Sequence, residues 1–138
     1  MATIINGGCN NAFRHNIIDL GPTGTGWIAG WTEPGGGGAV GFPWTGPNVF
    51  EGNVVIAGYS GSMNTNLNGV AGKGYLQGPG YPSNMGRVDA NLYFNYGGGA
   101  IDVSGNIVGD SAPVTGKDPK LSGWEYTMAP DSPALALP

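Results

Sequence analysis

Charge is scarce in this chain. Only 10% of its 138 residues are Asp, Glu, Lys or Arg, and the formal net charge is −4. The five basic residues, Arg14, Lys73, Arg87, Lys117 and Lys120, are scattered. No basic stripe exists to neutralise phosphates, which argues against a nucleic-acid partner. Cysteine is nearly absent: Cys9 stands alone, so no internal disulfide can form. With a single histidine, His15, it makes no zinc set and reads as a small packed hydrophobe. No stretch approaches the roughly 20 apolar residues of a membrane span. The opening residues Met1 to Asn6 lack the basic region and apolar run of a signal peptide. The expectation is export by another route, to the extracellular space or a virion surface, or a piece of something longer. The glycine runs lack the Lys-Ser/Thr of a phosphate loop, and no Gly-x-Ser-x-Gly elbow occurs.

Windows fit for a helix are also missing. The chain holds 28 glycines and 11 prolines, and both residues oppose helix interiors. Disorder is the usual reading of such a composition. Here 40% of residues are hydrophobic and 10% aromatic, which a disordered chain normally lacks. A single, ordered, turn-rich, all-β domain over 1-138 is predicted.

A phrase recurs in the chain. Phe13-Arg14-His15-Asn16-Ile17-Ile18 is its first copy and Phe50-Glu51-Gly52-Asn53-Val54-Val55 its second. Val88-Asp89-Ala90-Asn91-Leu92-Tyr93 is a third, and Val103-Ser104-Gly105-Asn106-Ile107-Val108 a fourth. The asparagines are 37, 38 and 15 residues apart. Internal similarity of this kind points to a solenoid. In each copy an apolar residue ends one strand, Asn stands at a tight corner and tolerates left-handed φ, and two apolar residues open the next strand. Asparagines stacked at one corner can bond along the stack. Strands are expected near 3-6, 13-20, 49-57, 91-95, 100-103 and 106-108. The intervals 21-47 and 58-87 read as long excursions, of the kind that are usually functional. The result is a parallel β-helix with long Gly- and aromatic-rich loops. Its coils would lie about 4.8 Å apart, and its open ends would invite pairing. That predicts a C-terminal end of a longer helix or one subunit of a homo-oligomer.

The stretch from Asp118 to Leu135, "DPKLSGWEYTMAPDSPAL", resembles the closing segment of right-handed parallel β-helix proteins of the pectate-lyase-like superfamily. The matching residues are Asp118, Pro119 and Leu121, then Pro130, Ser132, Pro133 and Ala134. Asn11, Phe13, Asn16 and Ile18 resemble that superfamily's coil turns. The resemblance implies a right-handed coil and a carbohydrate target, mostly an acidic polysaccharide. Members include polysaccharide lyases, glycoside hydrolases and phage tailspikes.

Candidate chemistry follows. Arg14 could bind a substrate carboxylate bidentately while His15 abstracts a proton. The plainer reading makes both fillers of the corner, as Glu51 and Gly52 are in the second copy. Glycoside hydrolysis needs two carboxylates, and Asp19, Glu33, Glu51, Asp89, Asp102 and Asp110 are available. Stacked acids could also hold calcium, though no specific motif asks for a cofactor. Trp27, Trp31, Phe42 and Trp44 crowd the first excursion with Glu33 and Asn48; Tyr59, Tyr75 and Tyr81 lie in the second with Gln77 and Asn84. Flat rings beside amides and carboxylates suit sugars, and they equally suit a local core or a subunit interface. The sequence thus nominates Arg14, His15 and Glu33 for catalysis. It nominates Trp27, Trp31, Glu33, Trp44, Tyr59 and Tyr75 for carbohydrate binding. The reading is a polysaccharide-directed module of a lyase or hydrolase. Its alternative is a non-catalytic structural or receptor-binding virion or fibre protein.

Overall fold

The computed structural model describes residues 3–6, 11–22, 29–32, 48–58, 63–64, 86–102 and 110–138. Thirteen short strands occur there: β1 Thr3–Asn6, β2 Ala12–Arg14, β3 Ile17–Asp19, β4 Ala29–Thr32, β5 Asn48–Glu51, β6 Val54–Ala57, β7 Met63–Asn64, β8 Gly86–Asp89, β9 Leu92–Asn95, β10 Ile101–Asp102, β11 Val114–Thr115, β12 Leu121–Ser122 and β13 Thr127–Met128. Among the described residues there is no α-helix, and a 3-10 turn covers Pro133–Ala136. The fold is all-β.

Pairing is parallel everywhere except between β12 and β13. The sheets run β1-β4, β7-β10, β2-β5-β8 and β3-β6-β9-β11. Every parallel pair but β9-β11 joins a strand to the one three later in the chain. In register, Ile17 faces Val54, Val54 faces Leu92, and Leu92 faces Val114. The first three copies of the repeat are therefore stacked on one another.

The corners explain the repeat. Asn53 Nδ2 donates to Asn91 Oδ1 at 2.9 Å, and Asn16 Nδ2 to Asn53 Oδ1 at 3.0 Å. The backbone N–H of each Asn donates to the same oxygen as its own Nδ2. The second proton of Nδ2 goes to a strand carbonyl: Arg14 for Asn16, Phe13 for Asn53, Phe50 for Asn91. Only a side chain that donates and accepts can do this at successive rungs.

Four expectations are corrected. The left-handed residue is not the Asn but the one before it: His15 at φ 53°, Gly52 at 61° and Ala90 at 50°. The turn must be complete by then, because the Asn N–H already points along the stack. The rung after Asn91 is not a fourth phrase copy. Asp110 Oδ2 accepts from Asn91 N, Asn91 Nδ2 and Tyr93 Oη, and Val114 takes the strand position. Pro113 precedes Val114, so Asp110 reaches the corner by a turn in which Ala112 N–H donates to its Oδ1. Asn106 and Ile107 lie outside the described residues. The excursions, finally, carry β4, β7 and the start of β8. The stretch 13-20 is two strands around a corner rather than one.

β6 is buried at all four positions. Successive side chains point to opposite faces, so the central sheet is covered on both sides, as parallel sheets generally are. Val55 and Ala57 on one face, and Val54 and Ile56 on the other, are almost wholly out of water. Val54, Ile56 and Leu92 cluster with Ala134, and Ile17, Phe94, Val114, Leu121, Met128 and Leu137 pack around them. Residues 118–138 thus form the cover of that face. Each large apolar side chain so buried contributes roughly 1.5–3 kcal/mol.

The cover is built from local bonds. Asp118 Oδ1 accepts from Lys120 N–H, letting Lys120 turn at φ 52° into the β12-β13 hairpin. Ser132 Oγ donates to Pro119 O at 2.6 Å and accepts from Ala134 N–H, capping the 3-10 turn. Lys120 Nζ bonds the Asp131 carboxylate across the same loop.

The ladder and its corners are tested by urea denaturation. Asn53→Ala strips partners from several buried groups at about 1–3 kcal/mol each, so a loss of about 3 kcal/mol or more is expected. Asp110→Asn is expected to cost about 1–2 kcal/mol, because its NH2 must face either Ala112 N–H or the Asn91 amide. At the corners, Gly52→Ala pays the left-handed cost of about 1–2 kcal/mol. Its Cβ would also meet Pro138 O at 2.8 Å and His15 Cδ2 at 2.9 Å. Ala90→Gly relieves the same backbone cost and is expected to fall between neutral and about 1 kcal/mol stabilising.

Candidate functional site

The corners also set where the acids go. Arg14, Glu51 and Asp89 occupy one register column on β2, β5 and β8. Arg14 Nε lies 2.5 Å from Glu51 Oε1, and Asp89 Oδ1 accepts from Ser111 Oγ. Glu51 and Asp89 are sequence-nominated acids brought side by side in register, and each is engaged by a neighbour. Asp19 is engaged at both oxygens, by Gly21 N–H at 2.7 Å and Tyr126 Oη at 2.6 Å. Asp110 terminates the amide ladder, and Asp102 sits in β10 opposite Asn64.

Arg14 and His15 are adjacent but do not converge. Arg14 turns to Glu51, whereas His15 Nε2 donates to the Pro138 carbonyl at 2.7 Å. Trp31 lies in β4 opposite Ile5. Trp27, Glu33, Phe42, Trp44, Tyr59, Tyr75, Gln77, Tyr81 and Asn84 lie outside the described residues, and of Asn48 only the backbone is described. Among the described residues no three of His, Cys, Asp and Glu group as metal ligands, and no helix is long and apolar enough to cross a membrane.

Three rings outside the excursions are exposed. Trp124 is 86% exposed in the β12-β13 turn, Tyr96 51% exposed after β9, and Tyr126 36% exposed. Tyr126 is tied to Asp19, so the cover is fastened to the end of β3. Tyr96 lies over Gly58: a Cβ there would come within 2.1 Å of the ring. Glycine at 58 thus lets the ring lie flat on the strand end.

Below Tyr96 is a half-open cavity of about 260 Å³, lined by Ile56, Phe94, Tyr96, Asp118, Pro119 and Leu121. A second, of about 250 Å³, lies between the His15–Asn16 corner and the Ala134–Leu137 end of the cover.

Protonation follows contact. Burial, then the Asp110 charge and hydrogen bond, push the Tyr93 phenol far above its ordinary value, so it remains a donor to the ladder. The hydrogen bond to Asp19 raises Tyr126, and the Lys120 hydrogen bond lowers Asp131.

The sequence does not single out Tyr96, Trp124 and Tyr126, because the tryptophans of the first excursion are more densely clustered. The available signal was Gly-Trp-Glu-Tyr between two turn-forming stretches, a hairpin tip with two rings. Neither a family model, nor a curated protein, nor a solved structure matches this chain.

The Tyr126–Asp19 contact carries a pH signature. A phenol raised above its unfolded value near 10 contributes stability that is whole below that value. The contribution is lost as pH climbs through the raised folded value. Denaturation midpoints of the parent and Tyr126→Phe should therefore differ most near neutral pH and converge in strong alkali. A constant difference across that range would refute the contact's role.

Proposed function

We propose that the chain is a right-handed parallel β-helix module that binds polysaccharide without cleaving it, through the ring surface of its closing segment. The observation carrying this reading is three exposed rings, Trp124 and Tyr126 of the closing hairpin and Tyr96 after β9, with Tyr126 bonded to the Asp19 carboxylate. Rings held by rigid elements offer large contact area to the apolar faces of sugars. The β-helix assignment is supported by the pairing of strands three apart and by the stacked corners. The non-catalytic assignment is supported by the acids: Asp19, Glu51, Asp89 and Asp110 all serve structural bonds.

A second reading, a structural virion or fibre part, is favoured by the same ladder. It makes the stack a rigid element and needs no ligand. Glycan contact at one such surface gives affinities around the mM scale, about 4 kcal/mol. Several copies in one assembly would supply avidity.

Titrating the intact protein with neutral and acidic oligosaccharides, read by fluorescence and by chemical shifts, separates the two. Binding is expected, weakened at least about tenfold by Trp124→Ala, a change of about 1.4 kcal/mol. No response to any glycan would leave the structural reading in place.

A further inference from the structure

We infer that the cavity between Tyr96 and Asp118 is a single-ring sugar subsite that admits a neutral unit and rejects a carboxylated one. This rests on the glycan-binding reading above and names its substrate class. It also departs from the acidic polysaccharides implied by the resemblance.

The size fits one ring. The volume of about 260 Å³ falls just under the roughly 300–1,000 Å³ of small-molecule pockets. The floor is apolar: Ile56 and Phe94 from the central sheet, Pro119 and Leu121 from the cover. Ile56 and Pro119 are buried, and Phe94 and Leu121 half-buried. One wall is the Tyr96 ring, whose position over Gly58 is set by the missing Cβ. Such a surface accepts the C–H face of a sugar.

The polar groups decide the class. Asp118 lines the cavity and is exposed. Its Oδ1 is used by Lys120 N–H, and its Oδ2 accepts no bond from the described residues. That oxygen can accept from a sugar hydroxyl. Among the described residues no basic side chain lines the cavity. Lys120, two residues on, is held by Asp131, and Lys117 is exposed outside the lining. A uronic acid would bring its carboxylate beside Asp118, with no cation of the described lining between them, and like charges brought together are costly.

The test compares matched neutral and uronic-acid oligosaccharides of equal length, at low and at high salt, on the full chain. Wild type is expected to bind the neutral series at least about tenfold more tightly at low salt. Asp118→Asn keeps the Oδ1 acceptor, and asparagine supports the same turn. It is expected to bring the ratio of the two affinities toward one. Gly58→Ala pushes aside a ring that is half in solvent, so the fold should survive. Weaker neutral binding with an unchanged denaturation midpoint is expected from it. Tighter uronate binding by wild type, or an affinity ratio unmoved by Asp118→Asn, would overturn the subsite. Absence of any glycan binding would instead overturn the function it rests on.

Discussion

The structure hangs on one directional chain of hydrogen bonds: Asn16 to Asn53 to Asn91 to Asp110. An amide gives at one end and takes at the other, so it can repeat indefinitely. A carboxylate only takes, so it closes the chain. Asn53 and Asn91 are fully buried, where an unpaired amide would be costly. The ladder therefore aligns the strands on either side of each corner. A slip of one residue would both break the amide contacts and turn the apolar faces inside out.

That register has a consequence for packing. It places Ile17, Val54, Leu92 and Val114 in one column, with Ile56 and Phe94 beside it on the same face. Left bare, this face would be an apolar patch of the sort that invites association. The closing segment covers it, with Ala134, Leu121, Met128 and Leu137 inward. Its fastenings to the coils are polar, Tyr126 to Asp19 and His15 to Pro138, while Ser132 to Pro119 holds the segment together internally. Apolar burial supplies the attraction, and these bonds fix the geometry.

Chemistry is what remains once stacking is satisfied. Asp19, Glu51, Asp89 and Asp110 are drawn into ladders, ion pairs and turns. The seam between sheet and cover is different. Two surfaces meet there without filling the space, and Tyr96 and Asp118 stand at the gap with unused faces. A binding reading is thus placed on the cover rather than along the repeat.

Much of the scaffold was legible in the residues themselves. The apolar-x-x-Asn phrase announced equivalent corners at Asn16, Asn53 and Asn91, because a buried corner with two backbone groups to satisfy calls for an amide. Val-Val-Ile-Ala signalled a strand, and the glycine and proline content ruled against helices. Other features came only from tertiary structure. Asp110 ends the ladder although it belongs to no phrase, since a turn four residues long can carry its carboxylate to the corner ahead of Pro113. The left-handed residue precedes the Asn, because the Asn N–H is claimed by the next rung. Tyr126 and Asp19 are far apart in the chain, and nothing local says that they meet. Sequence determines what each residue can bond; which partner it finds depends on how the cover closes over the sheet.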